Sequence, residues 1–131
     1  MADKMSFELV SPERKLATGE ADMIVLPGME GDIGIMPGHA PFLTTLRPGL
    51  VTVTDGSSKT EYFVTGGFAE VSGEATAILA EESVERAELT REFLDARIEA
   101  AKTAHENATD ETRQAANQRH SDLHVIAEQL L

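Results

Sequence analysis

Residues 30–49, EGDIGIMPGHAPFLTTLRPG, constrain this chain more than any other stretch. Gly31, Gly34, Gly38 and Gly49 alternate there with Pro37, Pro41 and Pro48. Glycine accepts positive φ and close backbone approach, whereas proline presets φ and removes a donor. The apolar pieces between them are Ile33, Ile35 and Met36, then Phe42, Leu43 and Leu46. They are too short for helices and suit short buried strands. The run reads as a rigid, many-cornered β element. It offers one histidine, His39, and two carboxylates, Glu30 and Asp32, but no nucleophile with a base beside it.

The same turn-rich texture extends to about Ser83. Residues 6–10 alternate, with Phe7 and Leu9 on one face. Residues 23–26 are a compact apolar run that stops at Pro27-Gly28. Residues 50–54 and 60–64 flank Asp55-Gly56, a hairpin signal because Asp and Gly accept left-handed turn geometry. Residues 69–71 and 75–79 suggest a second hairpin around Ser72-Gly73. Nine or ten short strands at this spacing argue for a β-sandwich or flattened barrel. Two packed sheets are the simplest way to bury side chains such as Val25 and Ile35 together with Val53 and Phe63.

After Ser83 glycine and proline disappear. Gly costs about 1 kcal/mol in a helix interior and Pro about 3 kcal/mol, so their absence permits long helices. A first helix is expected over residues 86–105, with Leu89, Phe93, Ala96 and Ala100 on one side and Leu94, Ile98 and Ala101 beside them. Asn107-Ala108-Thr109 reads as the link, Thr109 as the N-cap, and Asp110 and Glu111 as first-turn acids of a second helix. That helix runs to about Gln129 with a stripe of Ala116, Leu123, Ile126, Ala127 and Leu130. The expected fold is α+β: a β-sandwich over residues 1–83 and an antiparallel α-helical hairpin over residues 84–131. So short a hairpin buries too little surface to stand alone and must dock on the sandwich or on a partner. A permanently folded hairpin and a movable arm both remain open.

Composition excludes several classes. The 131-residue chain suits one domain, or a domain plus an appendage. Cysteine is absent, which rules out disulfides and cysteine-ligated metals. MADKMSFELV carries acid and no long apolar core, so it does not read as a secretory signal. No apolar run approaches the roughly 18 residues of a spanning helix. Eleven basic against 23 acidic side chains give a net charge of −12, which repels phosphate backbones and anionic lipid. Neither nucleic acid nor direct membrane insertion fits this balance; acidity here keeps the chain soluble.

The motif in residues 31–49 resembles one in the epsilon-subunit family of bacterial F-type ATP synthases, G-[ED]-[LI]-G-I-x-P-G-H-A-P-x-L-T-x-[LI]-x-P-G. Gly31, Asp32, Ile33, Gly34, Ile35, Pro37, Gly38, His39, Ala40, Pro41, Leu43, Thr44, Leu46, Pro48 and Gly49 fit it. FELVSPE at residues 7–13 resembles the family's first strand and corner. VTGGFAEV at residues 64–71 resembles its glycine-pair hairpin, and AILA at residues 77–80 its last strand before the helices. The resemblance is strong over the first two thirds of the chain and mainly architectural beyond. It implies a non-catalytic rotor subunit of the proton-transporting ATP synthase, peripheral on the cytoplasmic face of the bacterial inner membrane. It implies a gamma subunit held by one apolar face and a c-ring met by the corner at residues 30–39. Alpha and beta subunits would be reached through the C-terminal helices when extended.

Carried over residue by residue, Glu30, Gly31, Asp32 and His39 become candidate c-ring contacts, with acidic side chains that suit basic ring loops and supply orientation more than affinity. Many family members carry [IL]-D-x-x-R-A at the first helix, associated with ATP binding. Here Thr90 stands in place of the aspartate and Phe93 in place of the arginine. The later Leu94-Asp95-Ala96-Arg97 has two-residue spacing, which turns the side chains to different helix faces. Weak or absent ATP binding is expected, and no cofactor is assigned. In the family, basic residues of the extended second helix act on acidic catalytic subunits. This chain offers only Arg113 and Arg119 against Asp110, Glu111, Asp122 and Glu128, so inhibition of hydrolysis is expected to be weak.

His120 and His124 share a helix face, but HSDLH lacks the glutamate of HExxH and no third ligand is evident. His39 could suggest a cupin-type metal box, yet Pro41 stands where its second histidine belongs. No metal site and no catalytic residue are assigned. An adaptor for another complex and a small metal- or sugar-handling enzyme are the rival readings.

Overall fold

Turns at short intervals cut the first two thirds of the chain into ten strands, as seen in the computed structural model, which describes residues 4–130. Residues 1–3, on which part of the leader reading rests, and Leu131 lie outside the described residues. The strands are β1 (Met5–Ser11), β2 (Arg14–Ala21), β3 (Met23–Gly28), β4 (Gly31–Ile35), β5 (Phe42–Leu46), β6 (Gly49–Asp55), β7 (Ser58–Val64), β8 (Gly67–Val71), β9 (Ala75–Ala80) and β10 (Ser83–Glu85). They form one sheet in the order β10-β7-β6-β3-β5-β8-β9-β1-β2, with β4 paired to β3 alone. A single bridge, Gly28 to Leu46, joins β3 to β5. The sheet therefore folds there into two layers, β4-β3-β6-β7-β10 and β5-β8-β9-β1-β2. This is the expected α+β fold with its N-terminal sandwich. A second seam is drawn together at the β2–β3 corner. There the Asp22 amide donates to the Thr54 carbonyl at 2.7 Å, and Asp22 Oδ2 accepts from Gly56 N at 2.5 Å. Lys4 pairs with Asp55 beside it. That hydrogen bond raises the pKa of the exposed ammonium, with burial opposing it and nearby carboxylates adding to it.

Period-two alternation builds the core. Met5, Phe7 and Leu9 of β1, Val51 and Val53 of β6 and Ile78 and Ala80 of β9 all point inward and are buried. In β3 the inward residues are Ile24 and Leu26, and Val25 is only half-buried on the opposite face, which corrects its assignment to the core. A continuous apolar run carries no phase of its own; pairing Ile24 to both Ile35 and Val53 sets it. Met36 and Leu43 are likewise exposed rather than buried, at 60% and 69%. The β6–β7 hairpin forms where expected, but its two central residues are Gly56-Ser57, since Asp55 already pairs with Ser58. Gly56 adopts φ +62° and Ser57 does not share it, the pattern of a II′ turn.

The chain divides after Arg86 into two compact units. Val84 and Glu85, the first residues of the expected helical segment, pair with Phe63 and Tyr62 as part of β10. Burial, and then the nearby Glu85, push the Tyr62 hydroxyl pKa up. In the second unit, a 3₁₀ turn (Arg86–Glu88) precedes α1 (Arg91–Glu106), five residues later than the expected start, and α2 (Arg113–Leu130) follows. The two helices pack on each other through Leu94 and Ala101 of α1 and Leu123 and Ala127 of α2. Ala96 and Ala100, placed on the apolar stripe by periodicity, are exposed. The face that packs on α2 is that of Leu94, Arg97, Ile98 and Ala101, at i, i+3, i+4 and i+7 spacing. Thr109 does not cap α2. Its amide instead donates to Thr112 Oγ1 at 3.0 Å, and residues 109–112 form a turn before the helix. Asp110 and Glu111 thus precede α2. Among the described residues no helix is long and apolar enough to cross a membrane.

Candidate functional site

The corner at residues 29–39 is built by a tight reversal between β3 and β4. Gly28 pairs with Gly31, which leaves Met29 and Glu30 as the loop. Asp32, the second residue of β4, projects its carboxylate outward and lies 3.6 Å from Arg47 Nη2. Glu30, Gly31 and Asp32 therefore sit together on one rim. Met29, Ile33, Leu43 and Thr45 complete an open cleft of about 480 Å³. The cleft has acid on its rim and aliphatic side chains below. The carboxylates are solvated, an arrangement suited to recognition of a basic group rather than to proton transfer.

His39 is held apart from that rim by the length of β4. Its amide donates to the Met36 carbonyl at 3.1 Å, and the preceding Gly38 amide donates to Gly73 at 2.9 Å. These bonds tie the 37–41 loop to the β8–β9 turn. His39 Nδ1 donates to the Ala40 carbonyl at 2.7 Å, which fixes the proton on that nitrogen, and the ring lies 5.1 Å from Phe42. The four expected corner residues thus form two stations, Glu30-Gly31-Asp32 at one end and His39 at the other.

A second surface escaped the sequence reading. On the outer face of the β5-β8-β9-β1 layer, Phe68 pairs with Leu79, and Leu79 with Val10. Leu43 sits diagonally beyond, opposite Glu70. Leu43, Phe68 and Leu79 are 69%, 52% and 49% exposed. A concavity of about 400 Å³ lies beside them, walled by Val10, Pro12 and Ala80. Phe68 and Leu79 alternate with buried Ala69 and Ile78, so these strands are apolar on both faces. That doubled apolarity is the sequence signal for a strand covered on its outer side as well.

In the helical unit, Thr90 caps α1. Its backbone is extended, at φ −117° and ψ 159°, and its side chain accepts from the Phe93 amide at 3.1 Å. The Arg97 guanidinium stacks 4.3 Å over the Phe93 ring. The two positions that depart from the nucleotide motif are thereby engaged in local structure. Arg113 lies 3.4 Å from Asp110, and Arg119 is half-buried. The His120 and His124 rings meet edge-on at 4.7 Å. Among the described residues no cluster of three or more potential ligands could hold a metal ion.

Residues 4–86 match the family model "ATP synthase, Delta/Epsilon chain, beta-sandwich domain". An ATP synthase epsilon chain from Rhodobacter capsulatus is 52% identical over 114 residues, covering 84% of this chain and 86% of that one. One from Rhodospirillum rubrum is 43% identical over 132 residues, covering 100% and 96%. Among solved structures, a chain of the Euglena gracilis mitochondrial ATP synthase (OSCP/F1/c-ring, rotational state 1) superposes with a TM-score of 0.74. It has 23% identity and covers 98% of this chain and 82% of that chain. A chain of the Tetrahymena thermophila mitochondrial ATP synthase central stalk and c-ring gives 0.69 at 19% identity, covering 99% and 98%. At those identities the two structures speak for the fold alone.

Proposed function

The chain belongs to the ATP synthase delta/epsilon family as an epsilon chain, and from that premise we propose that its sandwich fastens the gamma shaft to the c-ring. It is a non-catalytic subunit of the enzyme complex, part of the central stalk. The observation that supports the coupling role is that two unlike recognition surfaces share one hydrogen-bonded sandwich. The apolar stripe of Val10, Phe68 and Leu79 suits a permanent protein contact, because fully covering each large side chain contributes about 1.5–3 kcal/mol. The acidic rim of Glu30 and Asp32 suits a polar, basic loop. Leu43 borders both, so the shaft and ring contacts adjoin. In this reading His39 meets the same assembly from the far end of β4. The subunit sits peripherally on the cytoplasmic face of the bacterial inner membrane; the expected boundary at residue 83 moves to Arg86, so the sandwich through Arg86 forms the coupling platform and residues 87–131 the arm.

A cysteine at position 32 tests the ring contact. In assembled membranes, Asp32→Cys should cross-link to the c-ring in high yield, and a cysteine at the opposite end of the sandwich, Ser57→Cys, should not. Equal yields at both positions would remove the assignment.

The helical arm reaches the alpha and beta subunits when extended, with Arg113 and Arg119 as its basic contacts, and its regulatory effect is weak. Thr90 and Phe93 serve as a cap and a cation–π partner, leaving no aspartate–arginine pair for nucleotide. Truncation after Ser83 would also cut β10, so the arm is better removed after Arg86. Loss of residues 87–131 should change ATP hydrolysis by the assembled complex less than about twofold, and millimolar ATP should leave the hairpin's NMR signals unmoved. A large activation on truncation would contradict this.

A further inference from the structure

Asp55-Gly56 is the only step in the chain at which Asp or Asn precedes Gly. At such a step no side chain shields the glycine amide nitrogen, which can attack the aspartate Cγ. The N–Cγ bond forms, the amide proton leaves with the carboxyl OH as water, and a succinimide ring results. Water then reopens the ring at either carbonyl. Opening at the α-carbonyl carries the main chain through Cβ and Cγ and lengthens it by a methylene, giving isoaspartate. The water lost is regained, so composition is unchanged and no oxidant, reductant or cofactor is consumed.

The turn that holds this step is open to solvent. Residues 55–58 are exposed, and a Cβ built at Gly56 meets nothing within 4 Å. The reacting atoms are nonetheless restrained in three ways. The Gly56 amide donates to Asp22 Oδ2 at 2.5 Å, and an anion so close opposes the loss of the amide proton that attack requires. The Asp55 carboxylate is paired with the Lys4 ammonium, and an oxygen can leave as water only once that pair is broken and the carboxyl takes a proton. Asp55 is also paired with Ser58 in the β6–β7 ladder, whereas ring closure needs its ψ to leave the extended range. Asp22 lies between β2 and β3 and Lys4 just before β1, so the hold on the turn comes from two distant segments.

We propose that Asp55-Gly56 is a site of spontaneous isoaspartate formation that Asp22 and Lys4 hold latent. Both act as protecting residues at the seam where the Asp22 amide donates to the Thr54 carbonyl. Opening of that corner frees the nucleophilic amide and the carboxyl group together. The added methylene then spoils the pairing of Asp55 with Ser58 and moves the Gly56 amide off Asp22, so the corner does not close again. Thr54 lies opposite Met23 at the start of β3, whereas the Glu30–Asp32 rim follows the other end of that strand. The modification therefore falls away from the proposed ring contact, at an exposed tip. An enzyme that methylates isoaspartyl carboxylates from S-adenosylmethionine could reach it there.

Ageing the full chain at neutral pH tests this. Isoaspartate is counted by enzymatic methyl transfer from S-adenosylmethionine and located by electron-transfer fragmentation of the peptide that spans residues 55–56. The native chain unfolded in guanidinium chloride sets the unrestrained rate, and the folded chain should be slower by at least about tenfold. Asp22→Ala keeps the backbone bond to Thr54 and should form isoaspartate at position 55 about tenfold faster than the native chain, the scale of one hydrogen bond to a charged group. Lys4→Met removes an exposed ion pair and should raise the rate about threefold. Val71→Ala opens a cavity at a buried position of β8, outside the hairpin, and should age at the native rate. Thermal unfolding confirms that each variant is folded during the incubation. If Asp22→Ala does not fold, the Lys4→Met rate and the folded-to-unfolded ratio of the native chain decide. A native chain that isomerises as fast folded as unfolded overturns the proposal. So does a folded Asp22→Ala or Lys4→Met chain that ages at the native rate, or a Val71→Ala chain that gains as much as Asp22→Ala.

Discussion

Replacing Gly67 by alanine should cost the sandwich about 4 kcal/mol, combining strain of about 1–3 kcal/mol for a glycine-only conformation with a comparable overpacking term. Gly67 holds φ +144°, and a Cβ there would lie 2.1 Å from the Leu79 carbonyl oxygen and 2.9 Å from Ala80 Cα. Both are backbone atoms of the strand to which β8 is paired, Gly67 being opposite Ala80. No side-chain rotation relieves the overlap. Separating β8 from β9 would unpack Ala69 and Val71 from Ile78, all buried. For a unit of this size the loss corresponds to a fall in Tm of roughly 20 °C. Urea or calorimetric unfolding measures it directly; a loss below about 1 kcal/mol would show that the β8–β9 ladder yields more easily than its hydrogen bonds suggest. Gly34→Ala is the internal control, since its Cβ meets nothing.

The second large effect is on assembly. Substituting Phe68 and Leu79 together by glutamate should weaken binding to an ATP synthase complex stripped of this subunit by about a hundredfold, close to 3 kcal/mol, the scale of central interface anchors. The two side chains pair across β8 and β9 and are about half-exposed, at 52% and 49%. Folding of the free chain depends on them little, so its Tm should move by only a few degrees. Binding titrations of folded variant and native chain give the difference. Equal affinities would place the shaft contact on some other face.

The local geometry of the chain was legible in advance. Turn residues mark where β6 reverses into β7 and β8 into β9, and alternation at Phe7 and Leu9 gives the inward face of β1. β2 was not picked out as a strand, because Arg14–Ala21 has no apolar alternation and sits in the sheet by pairing with β1. β10 was hidden because Val84 and Glu85 follow the last glycine and read as the approach to a helix. Of the site, the acidic rim was visible through the motif around it. The apolar stripe was not, because Phe68 and Leu79 look like core until the register shows which neighbours face inward. The hold on the Gly56 amide depends on where Asp22 directs its carboxylate, a relation between the β2–β3 corner and the β6–β7 turn that no local pattern contains.

The amino-acid sequence alone determined where the backbone turns, the sandwich-then-helices order and the family. Each of these rests on dihedral preferences or side-chain periods set by residues adjacent in the chain. Only the tertiary structure decided which side of β3, β8 and β9 is buried, which groups restrain the Asp55-Gly56 turn and where α1 and α2 begin. A strand shifted by one residue exchanges its two faces, and the choice between them is made by partners distant in sequence, as Val10 is from Leu79 and Ile24 from Val53.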